Sequence, residues 1–365
     1  MSEAIRAILE ALTPENWGRV RQALIANHRL PSSVRRAFAQ SGTPTLEELL
    51  EVLPPGPSPI FSKVEEVLAA QGVPKGEGLL KKLLASFEFL TPPTRQRILN
   101  EAPPGLIIQL MKPRPSSPEL ALEVVEALLP RVRGKGEWKH LLAYIANRIG
   151  NFPEGAMDRA LALLTRGRKP NEVLQIVITL AKTANLTLPL LRKLLDTVPE
   201  ESRGEVLEGA RRNLSISEEV RNFLLERGVI PEEMVLKARL SKELQLKALE
   251  QGYLHEIVHK GNLYPEVVVE ALKKAIGENS EPLLTAILQK YPVPPDGVRL
   301  LLASSRPQLL LRGLQLGLYY RGISARELAQ AFFRAMRSGL ELEALWEEFK
   351  ARLEEEGLAP EAVGV

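Results

Sequence analysis

The chain has 365 residues, 45% apolar and 25% charged, a balance that excludes a disordered chain and supplies apolar surface for a sizeable core. It contains no Cys, which excludes disulfides, thiol nucleophiles and Cys-ligated metal sites. The net charge of +3 is too mild to imply a nucleic-acid partner by itself, but it is unevenly placed. Residues 112–169 hold eleven Lys/Arg against six Asp/Glu, and 341–361 hold eight Glu against two Lys/Arg.

The expected elements are all helical. Residues 3–12, 14–28, 32–41 and 45–53 form a first unit, 1–53. The Pro-dense PPGPSP (54–59) follows as a non-helical connector. Helices come next at 60–71, 77–89, 93–101 and 104–111, then after KPRPSSP (112–118) at 118–130. The remaining spans are 137–149, 153–166, 171–184, 187–197, 203–212, 216–227, 231–239, 242–251, 253–260, 264–276, 281–290, 295–304, 306–318, 324–337 and 340–356. The strand-like runs LIIQLM (106–111) and LQIVITL (174–180) lack turns placed for hairpins.

One phrase recurs. An apolar residue leads into Pro, Ser or Thr, then into a short apolar helix and a polar stop. It stands as RLPSSVRRAFAQSG (29–42), LTLPLLRKLLDTV (186–198), LSISEEVRNFLLERG (214–228), VIPEEMVLKARL (229–240), LYPEVVVEALKKAIG (263–277) and PVPPDGVRLLLASS (292–305). Pro in the first turn loses no hydrogen bond, and Ser or Thr before it can cap free N–H groups. The last helix carries Leu342, Leu345, Trp346, Phe349 and Leu353 as one stripe, with Glu on its other faces. The fold class expected is all-α, an irregular α-solenoid of short antiparallel helices over 60–365 with an amphipathic capping helix near 340–356.

The phrase apolar–Pro–x–x–Val–x–x–x–Leu resembles the leucine-rich repeat variant family and its HEAT-like relatives, well over 186–337 and loosely before. That resemblance implies a helical-repeat stack with an extended binding surface and no particular reaction. A non-catalytic scaffold with a protein partner is therefore the expected function. The N-terminus lacks a signal-peptide pattern and no apolar run reaches the roughly 18–20 residues that span a bilayer. A soluble cytoplasmic protein with no membrane partner is expected, and the Cys-free, Leu/Arg/Glu/Pro-rich composition suits a thermophile.

Two constellations suggest other functions. HEIVH (255–259) sets His255 and His259 four apart on one helix face, as a zinc pair requires, with Glu256 as the candidate general base. Glu278 follows at the spacing at which Glu-zinc metallopeptidases, which this motif resembles, have their third ligand. Zinc is the one cofactor the sequence suggests, and a zinc hydrolase the one enzyme. Against it stand Lys260 after the second His, a short helix bracketed by Gly252 and Gly261, and no preceding edge strand.

The second constellation is basic. RVRGKGEWKH (131–140) carries Arg131, Arg133, Lys135, Trp138, Lys139 and His140; TRGRKPN (165–171) carries Arg166, Arg168 and Lys169. Both are expected as loops. In an antiparallel stack, alternate loops share an edge, so these two should lie side by side. Arg forks match phosphate, and Trp138 can stack on a base, which gives a DNA- or RNA-binding alternative. The plain reading is that basic residues follow helix C-termini for their partial negative charge. Tyr319 and Tyr320 are expected either as an exposed contact pair or as packing.

Overall fold

The computed structural model describes residues 17–32, 35, 46–51, 60–112 and 117–358. The chain divides into two compact units, Met1–Val220 and Arg221–Val365. The expected helix at 3–12, most of that at 32–41 and the connector 54–59 lie outside the described residues.

In the first unit α1 spans Trp17–Ala26, α2 Leu46–Glu51, α3 Ile60–Gln71, α4 Glu77–Ala85, α5 Pro92–Glu101 and α6 Pro104–Leu110. Then come α7 Pro118–Leu128, α8 Gly134–Ile149, α9 Glu154–Thr165, α10 Pro170–Thr183, α11 Leu188–Thr197 and α12 Arg203–Arg211. The helix α13, Glu218–Glu226, runs across the division. The second unit holds α14 Glu232–Lys237, α15 Lys242–Glu250, α16 Leu254–Lys260, α17 Pro265–Gly277 and α18 Glu281–Lys290. It ends with α19 Pro295–Leu302, α20 Pro307–Gly317, α21 Ala325–Arg337 and α22 Glu343–Glu355. Among the described residues no strand forms, and both strand-like runs are helical. A lone parallel bridge joins Leu186 to Ile216.

Pro opens α5, α6, α7, α10, α11, α17, α18, α19 and α20 within their first two positions. Side-chain capping is rarer than the sequence suggested. Thr187 and Ser280 cap nothing, whereas Ser241 accepts from the Leu244 N–H and Ser324 from the Glu327 N–H. In both helices Pro stands at the second position, where it removes one of the N–H groups that a cap would serve.

Helices pack on the next helix and on the next but one. In the first unit α4, α6, α8, α10 and α12 form one such series, and α5, α7, α9 and α11 the other. In the second, α14, α16 and α18 form one series and α15, α17 and α19 the other. The cores are mainly Leu, Ile, Val and Ala, with a few buried Phe, Tyr and Met, and in the second unit they run from Ile230 to Leu353. Helix α2 packs on α3 and α4, so the helix before the Pro-dense segment joins those after it.

One polar device repeats at this spacing. A side chain donates to a carbonyl at the C-terminal end of the helix two places earlier. Arg131 does so to Leu99, and Arg148 to Met111 at 3.1 Å. Asn213 reaches Ala181 and Ala184 at 2.8 Å, and Lys260 reaches Val235 at 2.8 Å. Tyr291 reaches Val258 at 2.5 Å, Arg306 reaches Ile276 at 3.1 Å, and Arg334 reaches Leu302. Arg352, buried on α22, donates to Leu318 at the end of α20 at 3.1 Å, and to Tyr320 and Ile323 in the connection after it at 3.0 and 2.7 Å. Helix ends leave carbonyls unbonded; these side chains supply the missing donor, and the Arg and Lys among them also meet the partial negative charge.

On α22 the expected stripe is inward. Phe349 and Leu353 are buried, Phe349 stacks on Phe332 at 4.3 Å, and Glu347, Glu348, Glu354 and Glu355 are exposed. The Tyr pair splits: Tyr319 is 77% exposed while Tyr320 packs against the core. No helix among the described residues is long and apolar enough to cross a membrane.

Candidate nucleic-acid interface

The basic segment 131–140 is mostly helix, not loop. After α7 the chain makes a 3₁₀ turn over Leu129–Arg131, and α8 begins at Gly134, three residues before the expected start. Gly134 takes a φ of +78°, a turn that favours Gly. Glu137 then accepts the Arg133 N–H at 2.9 Å, which closes the first turn. Lys135, Trp138, Lys139 and His140 therefore stand on the first two turns of α8, with Lys135 and Trp138 three apart on one side.

The two basic segments do meet. The Arg168 guanidinium lies 4.3 Å from the centroid of the half-buried Trp138 ring, while its Nε donates to the Leu164 carbonyl at 2.9 Å. Around this contact Lys135, Lys139, Arg166 and Lys169 are exposed, and none of their side chains forms an ion pair among the described residues. Two carboxylates, Glu137 and Glu172, stand within the strip on the Arg133 and Lys169 N–H groups, while three acids of the wider stretch are committed elsewhere. Glu119 pairs with Arg159, whose hydrogen bond holds the Glu119 carboxyl below the usual range. Glu123 pairs with Arg95, and Asp158 with Lys193.

Not every basic residue singled out in the sequence belongs to this strip. Arg131 is half-buried and spent on the Leu99 carbonyl, so its part is structural. Arg133 is exposed, and its guanidinium bonds its own turn at the Pro130 carbonyl, 3.1 Å away. Trp138 has Arg168 over one face, so it does not offer a bare ring there. A guanidinium plane stacked on an aromatic ring can itself carry a base. The sequence shows both basic runs; what it lacks is any mark that Arg168 rests on Trp138.

The histidine motif is placed differently. His255, Glu256 and His259 lie on α16, whose apolar residues Leu254, Ile257 and Val258 are buried, and both His are exposed. Glu278 caps the end of α17. Among the described residues no three His, Asp or Glu side chains gather in a way that could hold a metal, and His255, His259 and Glu278 are no exception. Glu256 turns partly inward: its Oε2 is buried and has no hydrogen-bond partner. Lys260 after the second His is a tie to Val235, which explains a cation there.

Compared with known protein families, curated proteins and solved structures, the chain matches none, so the interface rests on its own geometry.

Proposed function

We propose that this protein is a non-catalytic α-solenoid of HEAT-like character within each unit, and that it binds nucleic acid through α8 and the connection after α9. The repeat reading is supported by packing of each helix on the next but one and by the carbonyl ties that recur at that spacing. The one-sided stripe of α22 suits a helix that closes such a stack.

The observation that carries the partner is the Arg168–Trp138 contact, which joins two basic segments about thirty residues apart into one strip. Lys135, Lys139, Arg166 and Lys169 supply phosphate contacts, and the Arg168–Trp138 stack supplies a planar platform. The test is fluorescence anisotropy with single- and double-stranded DNA and RNA at two salt concentrations. Binding that weakens steeply with salt, and is weakened when Lys135, Lys139, Arg166 and Lys169 are all changed to Ala, supports the reading. No binding at low salt, or binding unchanged in that variant, overturns it.

A protein partner is the second reading, favoured by Phe333 and Met336, which are 44% and 56% exposed on α21. A protein that co-purifies after nuclease treatment and is lost on changing both to Ser supports it.

A further inference from the structure

A groove of about 470 Å³ lies between α6 and α8 and is lined by none of Lys135, Lys139, Arg166 and Lys169. It is lined from α8 by His140, Ala143, Tyr144 and Asn147, which recur at the three-and-four spacing of one helix face. Ile108, Gln109 and Lys112 line it from the α6 side. A volume of this size is that of a small-molecule site, roughly 300–1,000 Å³.

The two helices run parallel. Glu137 stands beside Gly105 at the start of α6, and Arg148 donates to Met111 and Lys112 carbonyls at its end. His140 is therefore towards one end of the groove, and Lys112 and Asn147 towards the other, separated by roughly 10 Å of helix rise. The middle is apolar: Ile108, Ala143 and the buried Tyr144 ring.

The charge at the Lys112 end is positive for a structural reason. The end of α6 would ordinarily present partial negative charge and repel an anion. Arg148 removes that effect by bonding its carbonyls, and its guanidinium also lies 3.8 Å from the Tyr144 ring centroid. Burial keeps the Tyr144 phenol protonated, so the floor adds no negative charge. Lys112 is exposed and its side chain is in no ion pair among the described residues, and the exposed Gln109 and Asn147 amides line the groove with it. The Glu137 carboxylate, beside Gly105, stands at the opposite end and is engaged by the Arg133 N–H.

We infer that this groove binds a small phosphate monoester with a flat apolar body. The phosphate sits between Lys112, Gln109 and Asn147 over the Arg148 charge, and the ring lies on Ile108 and Ala143 towards His140.

Phenyl phosphate, benzoate and phenol, each titrated calorimetrically into the full chain, test this. Phenyl phosphate should bind saturably with one site per chain, benzoate more weakly, and phenol not at all. Lys112→Ala, at an exposed position, should weaken phenyl phosphate by roughly tenfold, the loss of one charge-assisted hydrogen bond. Ala143→Leu, also exposed, should abolish binding by filling the groove. Absence of saturable binding, or binding indifferent to both substitutions, overturns the site. Benzoate as tight as phenyl phosphate overturns the phosphate assignment. The alanine variant at Lys135, Lys139, Arg166 and Lys169 should retain phenyl phosphate, which separates this site from the strip.

Discussion

The guanidinium of Arg168 lies 4.3 Å from the ring centroid of Trp138, and this one contact pins the connection after α9 to the first turns of α8. A cation over an indole face is worth about 0.5–1 kcal/mol at a half-exposed site. Arg168→Ala should cost about that in urea unfolding and should red-shift Trp138 emission as the ring becomes more accessible. A stability and spectrum identical to the parent chain would mean that the contact does not hold the two segments together.

Lys135, Lys139, Arg166 and Lys169 have the charge to replace condensed counterions on a nucleic acid. Each phosphate contact steepens the dependence of log K on log salt by about 0.7–0.9. Removing all four should reduce that slope by about 3. Changing Arg131 instead should leave the slope alone and lower stability, because Arg131 is bonded to the Leu99 carbonyl.

Arg352 is the most heavily engaged of the carbonyl ties. Its buried guanidinium serves Leu318, Tyr320 and Ile323, with Glu356 as its counter-ion at 3.1 Å. Arg352→Met should destabilise the protein by about 3 kcal/mol or more, since several buried acceptors lose their donor together. Arg352→Lys should recover only part, because an ammonium cannot fork to diverging carbonyls. Chemical unfolding of the three proteins decides it.

Tyr144 gives a pH signature. Burial pushes its phenol up from 10.0 to about 12, against the opposing effect of Arg148. Below pH 10 the phenol is protonated in both folded and unfolded chains, and its contribution is whole. Above pH 10 only the unfolded chain ionises, so stability falls as pH rises towards 12, by about 3 kcal/mol at most. Tyr144→Phe should make the loss between pH 9 and 11 shallower by about 1 kcal/mol, measured as the change in urea midpoint.

Gly150 is required where two connections touch. A Cβ on it would meet the Asn185 carbonyl oxygen at 1.7 Å. Asn185 is fixed there, donating through its side chain to the Asn147 carbonyl at 3.1 Å, and Thr187 donates to the Gly150 carbonyl at 3.2 Å. Gly150→Ala should therefore cost several kcal/mol, since backbone and not a side chain must move. Gly136→Ala, with nothing near its Cβ, is the control and should be neutral or slightly stabilising in its helix.

The sequence by itself determined the helices. Pro at the first turn, apolar faces at the helical period and short polar stops act within a few residues, so α3 at 60–71 and α18 at 281–290 are legible to the residue. It also marked the inward stripe of α22 and the two basic runs. It misplaced the start of α8, because the Gly134 turn and the Glu137 cap read like loop chemistry. Which cations are free was not legible either. Arg131 and Lys135 look alike in the chain, yet one is bonded to a carbonyl thirty-two residues away and the other is exposed. Only the tertiary structure decided that, and with it the Arg168–Trp138 contact and the groove between α6 and α8. The physical reason is range. Helix formation is settled by neighbours, whereas the partner of a side chain depends on which helix the packing brings to its tip.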